Sequence, residues 1–143
     1  MLLRDRNKMV ETLMDRIDKI LNHDYHLGRN NAAEADRRFC RHSMVHFLDV
    51  ARIGTIIALE EGLKIDREWI YAAALLHDCG KHEQYENGTP HEQASARIAP
   101  EILKACGFDD EETGVIVTAI SRHRDPEAAR EKNLNGILYR ADK

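Results

Sequence analysis

The stretch Ala72-Ala-Ala-Leu-Leu-His-Asp-Cys-Gly-Lys81 decides how this chain is to be read. Its first five residues are apolar on every side of a helix, so a helix from Arg67 to about Asp78 belongs inside a core rather than on its surface. Asp66 offers a short carboxylate for the N-cap of that helix, and Gly80 marks its end. At its carboxyl end this most apolar segment delivers His77 and Asp78. An ionised aspartate there is expensive to desolvate unless it is paired or bound to a cation. Imidazole nitrogen together with carboxylate oxygen suits zinc, manganese, iron or nickel, and is richer in nitrogen than calcium or magnesium favours.

One histidine and one aspartate cannot form a site alone, so further ligands must come from other helices of a bundle. Outward from the central segment the candidates are His46, His91, His123 and Asp142, each on or beside a separate predicted helix. Upstream, Phe39, Val45, Leu48, Ile53, Ile56, Ile57 and Leu59 supply the apolar positions of a helix from about Ala32 to Glu61, stopped by Gly62. It carries His46, with Val50 one turn further along the same face. Before it, Met9, Val10, Leu13, Met14, Ile17, Ile20 and Leu21 recur at three- and four-residue spacing and predict an amphipathic first helix. Asn22 to Asn31 reads as a loop.

Downstream, Glu83 to Gly88 reads as a surface loop. Thr89-Pro90-His91-Glu92 then has the form of a helix start, with Thr89 as N-cap, Pro90 in the first helical position and Glu92 three residues after the cap. That helix is expected to reach Cys106-Gly107, with a kink near Pro100. Asp109 or Asp110 caps the next, which passes through Val115, Ile116 and Ile120 to His123 before Asp125-Pro126 breaks it. A last helix starts near Asn133 and carries Leu134, Ile137, Leu138 and Tyr139, with Asp142 at the end of the chain. No stretch alternates as a strand does, and no repeat is present. The expected fold is therefore all-α, a single compact bundle of about six helices with the metal site between the central ones.

Composition agrees with one soluble domain: 143 residues, 43% apolar and 32% charged. The longest apolar run, Tyr71 to Leu76, falls far short of the roughly 18 residues of a membrane span, so no membrane partner is expected and a cytoplasmic location is the default. A net charge of -4 argues against extended nucleic-acid binding but leaves room for a small anionic substrate. Cys40, Cys79 and Cys106 form no close pair, which suggests neither a disulfide framework nor a thiolate zinc knuckle.

These residues carry a resemblance. His46 with Val50-Ala51, then Ala74-Leu75-Leu76-His77-Asp78-Cys79-Gly80-Lys81, then Ala141-Asp142-Lys143 resembles the HD superfamily of metal-dependent phosphohydrolases, whose signature runs in the order His, His-Asp, Asp. The resemblance implies that His46, His77, Asp78 and Asp142 bind one metal ion. It also implies that His91 and His123 match the extra histidines of a subgroup with a second ion, Asp78 bridging both. Within that subgroup, His91-Glu92-x-x-Ser95-Ala96, Ala119-Ile120-x-x-His123 and Leu138 to Asp142 are similar to bacterial enzymes that hydrolyse dinucleoside polyphosphates. Those enzymes usually continue past the final aspartate, whereas this chain stops at Lys143. Either it is a portion of a longer protein, or substrate contacts made by later residues are missing. Residues 1–31 would then be an N-terminal helix and loop, and 32–143 the metal-binding core.

The implied activity is hydrolysis of a phosphoester or phosphoanhydride bond in a small nucleotide-like substrate by a metal-activated hydroxide, with one or two Fe, Mn, Zn or Ni ions as cofactors. Asp78 would be catalytic. Lys81, one turn past His77, would act on the reaction and bind a phosphate oxygen as a point charge, with Arg122 and Arg124 as further anion contacts. The alternative is a metal-bound regulatory or nucleotide-sensing module of the same fold without turnover. More ordinary roles also compete. His91 could serve in a helix's first turn and His123 as a dipole partner at a helix end, while Arg122 and Arg124 could be a solvated face. His42, four residues before His46, reads as a helix-surface or supporting residue rather than half of a zinc pair. His23, His26 and His82 read as solvated, and Cys79 as a small buried apolar residue.

Overall fold

The computed structural model of the protein describes residues 15–22 and 40–143. Residues 15–21 are helical (α1), followed by α2 (Cys40–Glu60), α3 (Arg67–Leu76), α4 (Lys81–Asn87), α5 (His91–Ala105), α6 (Asp110–Ser121), a 3-10 turn (Pro126–Arg130) and α7 (Leu134–Ala141). No described residue lies in a strand, so the all-α expectation holds. Expectations for Met9 to Met14, for the loop with His23 and His26, and for Ala32 to Phe39 lie outside the described residues, as do the side chains of Cys40 and His42.

Helix α3 is the axis of the bundle. Ala72, Ala73, Ala74, Leu75 and Leu76 are all fully buried, and the helix packs against α2, α5, α6 and α7. Burying Leu75 and Leu76 contributes roughly 2–3 kcal/mol each. The helix begins where expected, with an Asp66 carboxylate oxygen accepting from the Glu68 N–H at 2.8 Å. It ends at Leu76, earlier than the expected Asp78, so His77 and Asp78 stand in the turn beyond it. Helix α2 stops before Gly62, which takes the left-handed φ of 66° that favours glycine. No helix among the described residues is long and apolar enough to cross a membrane.

Three local expectations need correction. Lys81 to Asn87 is a helix, not a loop, closed by Gly88 in the left-handed conformation with its N–H on the Gln84 carbonyl. His82 is consequently buried at 2% exposure rather than solvated, because α4 packs on α5 and turns that residue inward. Thr89 does not cap α5. Pro90 occupies the N-cap position and makes no side-chain cap bond. By contrast α6 has the full capping box: Asp109 accepts from the Glu112 N–H, and Glu112 reaches back to the Asp109 N–H.

Glu112 also ties three elements together. Its carboxylate accepts from Arg16 of α1 at 2.9 Å and from the Trp69 indole of α3 at 2.7 Å. The Arg16 guanidinium lies 4.0 Å over the Phe108 ring and also pairs with Glu68. The bond from Arg16, with that of Trp69, lowers the Glu112 pKa to about 2 despite partial burial. A carboxyl whose folded pKa is depressed stabilises fully above its ordinary range and progressively less as pH falls toward the folded value. Glu112→Gln is therefore expected to lose about 2 kcal/mol at neutral pH, the scale of hydrogen bonds to a charged acceptor, and the gap should close as pH falls through 4.5 toward 2. Denaturant melts of both proteins at several pH values check this; a gap independent of pH would contradict it.

Candidate metal centre

Six side chains converge from five helices and the turns that follow them. His46 comes from α2, His77 and Asp78 from the turn after α3, and His91 is the first residue of α5. His123 follows the C-cap of α6, and Asp142 is the C-cap of α7. Their ligand atoms fall into three overlapping groups, His46–His77–Asp78, His77–His123–Asp142 and Asp78–His91–His123, and within each group every atom lies within 4.8 Å of the others. The cluster grades from a fully buried floor, His77 and His123, to a His46 side chain that is 46% exposed.

Helix termini explain how the imidazoles are aimed. The last carbonyls of a helix have no partner in the helix itself. His77 Nδ1 donates to the Ala74 carbonyl at 2.5 Å, and His123 Nδ1 donates to the Ile120 carbonyl at 2.6 Å. With the proton held on Nδ1, each ring turns the lone pair of Nε2 into the cluster. His91 reaches the same state with a side-chain partner, its Nδ1 lying 2.9 Å from Gln84 Oε1.

Asp78 divides its two oxygens between the two sets of rings. Oδ2 faces His77 Nε2 at 3.5 Å, while Oδ1 faces His91 Nε2 at 3.3 Å and His123 Nε2 at 3.8 Å. Asp142 Oδ1 lies 2.9 Å from His46 Nε2 and 3.2 Å from His77 Nε2.

Electron pairs therefore point at electron pairs. His91 Nε2 and His123 Nε2 are 3.1 Å apart, each on a ring whose Nδ1 already faces an acceptor. His77 Nε2 is buried without a hydrogen bond and looks toward two carboxylates. Such an arrangement is repulsive until a proton or a cation enters it. The donor set of imidazole nitrogen and carboxylate oxygen fits a divalent transition ion.

The titration tendencies have the same origin. Burial lowers the His77 pKa, but the Asp78 and Asp142 carboxylates outweigh it and raise the value to about 9. Burial and the neighbouring His77 press His123 down to about 4, and burial lowers His91 as well. Burial would raise both carboxyls, yet the surrounding imidazoles hold Asp78 and Asp142 below the usual aspartate range. The two carboxylates facing His77 thus favour positive charge at the floor of the cluster.

Of the remaining predicted site residues, Lys81 and Arg124 act on the cluster from outside it. Lys81 opens α4 and is close enough for its charge to act on Asp78 and His91. Arg124 is exposed, and its charge is also felt at His91. Arg122 is turned to carboxylates, pairing with Asp125 at 3.2 Å and with Glu131. Cys79 is fully buried, and burial pushes its thiol to about 12, as suits a small apolar residue rather than a ligand.

Two supporting contacts were not legible in the sequence. Ser95 Oγ accepts from the Gly80 N–H at 2.9 Å, and the Ser95 carbonyl takes the Cys79 thiol at 3.7 Å, locking the turn after α3 to α5. Gln84 holds His91. Both pairings join separate helices, and no local spacing announces them.

A protein of Clostridium beijerinckii described as an uncharacterized protein is 49% identical over 133 residues, covering 91% of this chain and 83% of its own length. Solved structures offer no significant match. The model of the HD domain family matches residues 44–143, a span that contains all six converging side chains. This chain accordingly belongs to the HD-domain family, whose members are in general metal-dependent phosphohydrolases.

Proposed function

We propose that the protein hydrolyses a phosphoester or phosphoanhydride bond of a small nucleotide-like substrate, using one or two divalent transition ions held by His46, His77, Asp78, His91, His123 and Asp142. The observation that carries this reading is the division of Asp78, one oxygen toward His77 and the other toward His91 and His123. A carboxylate so shared suits a bridge between two cations. When bound, the ions supply Lewis acidity, lowering the pKa of a water nucleophile and neutralising phosphoryl oxygens.

The chain's own residues do the rest. Asp78 and Asp142 bring negative charge to an enclosed site that otherwise presents only neutral imidazoles to a cation. Lys81 places a compact positive charge beside Asp78, where a phosphate oxygen would gain from it. Arg124 stands exposed on the His91 side and extends that anion-binding rim. Arg122 reaches substrate only by exchanging Asp125 and Glu131 for it. The fully buried rings of His77 and His123 shut water out of the floor, so charges inside interact more strongly than they would in solvent.

The test is to strip the protein with chelator, reload it separately with Mn, Fe, Zn and Ni, quantify the bound ions, and follow phosphate release from nucleoside phosphates and dinucleoside polyphosphates. Turnover should vanish on stripping and return with at least one metal. Tight binding of metal and nucleotide with no release from any substrate would instead favour a regulatory module. Failure to bind any metal would sink both readings.

A further inference from the structure

We propose that Gln84 is a positioning residue of the metal centre, one that sets which nitrogen of His91 faces the cluster. This inference rests on the reading that His91 and His123 hold a second ion. His91 differs from the other two enclosed histidines in its place on the fold. His77 and His123 follow the C-termini of α3 and α6, where helix-end carbonyls three residues back accept their Nδ1 protons. His91 is the first residue of α5. A helix N-terminus offers spare N–H groups and no free carbonyl, so a histidine there finds no acceptor in its own helix.

Gln84 supplies it from the neighbouring helix. Its Oε1 lies 2.9 Å from the His91 backbone N and 2.9 Å from the His91 ring Nδ1. One oxygen thus does two things: it caps α5, which Pro90 leaves without a side-chain cap, and it holds the ring proton on Nδ1. Nε2 is left free to face Asp78 Oδ1 at 3.3 Å and His123 Nε2 at 3.1 Å. The arrangement depends on the tight return from α4 to α5, in which Gly88 at a φ of 79° donates its N–H to the Gln84 carbonyl. A Glu83–Arg97 ion pair fastens the two helices further along.

Without that acceptor the ring is free to carry its proton on Nε2, where it would donate to Asp78 and stand in the place of a cation. Gln84→Met keeps the length and removes the acceptor; Gln84→Glu keeps the acceptor. In the metal-free protein above pH 7, a long-range proton–nitrogen spectrum should show the Nδ1–H form of His91 in wild type and Gln84→Glu, and its loss in Gln84→Met. Competition titration with Zn2+ against a chromophoric chelator should show the second equivalent weakened roughly 10- to 100-fold in Gln84→Met, with the first unchanged and Gln84→Glu restored. An Nδ1–H form that persists in Gln84→Met, with both equivalents bound as in wild type, overturns the proposal. A tautomer change in a protein that binds no second ion upholds the role of Gln84 at the ring and refutes the two-ion reading instead.

Discussion

Asp78→Ala is expected to lose hydrolysis by at least about a thousandfold, the scale seen when a preorganised electrostatic stabiliser is removed. The reason lies in the division of its carboxylate, because a single substitution strips a ligand from both sets of rings. His77 and His123 would keep Asp142, while the group of His91 and His123 would be left without its carboxylate. Metal content should fall with activity, from whatever the wild type holds to less than one tightly bound equivalent. Helicity should survive, since the apolar core around Leu75, Leu76, Ile116 and Ile120 is untouched. Far-ultraviolet circular dichroism controls for folding, and phosphate release with elemental analysis reads the effect. A folded variant that keeps wild-type turnover rules out the proposed mechanism.

Gly80→Ala is expected to damage both stability and site, although it adds one methyl group. A Cβ at this position would lie 2.5 Å from the Ser95 backbone N and 2.6 Å from the Ala94 carbonyl carbon and Cβ. These are atoms of a buried helix and cannot swing aside as the end of a flexible side chain can. Helix α5 must back away from the turn after α3, which weakens the Gly80 N–H bond to Ser95 Oγ. Overpacking of this kind costs about 3 kcal/mol, or on the order of 10 °C in Tm for a domain of this size. His91 rides on the same helix, one turn before Ser95, so its 3.3 Å approach to Asp78 should open as well. Thermal melts and the second equivalent in a metal titration check the two effects. A variant that melts within about 2 °C of wild type and binds both equivalents normally would show that α5 is not held as tightly as this geometry requires.

The central glycine illustrates where sequence reading stops. Gly80 was expected merely to end a helix, and its φ of -95° is one that any residue adopts. Its necessity comes from α5 lying against it, and that neighbour is fifteen residues away in the chain. The α4 error is similar. Lys81 to Asn87 has too few apolar residues to announce a helix by periodicity, and its stability comes from packing on α5. Thr89-Pro90 had the form of a cap, yet the hydrogen bond to the start of α5 comes from Gln84 instead.

The sequence by itself determined the helical character of the chain, the central place of Ala72 to Leu76, the cap at Asp66, a cap at Asp109 or Asp110, the helix start near Asn133, and the identity of the six converging side chains. Those features are written in apolar periodicity, in short polar residues ahead of helices, and in residue types whose chemistry is costly to bury alone. Only the tertiary structure decided which ring nitrogen faces the cluster, how Asp78 splits its oxygens, and which residue aims His91. Each of these depends on hydrogen bonds that span a helix end or two separate helices, and such distances exist only after the bundle has closed.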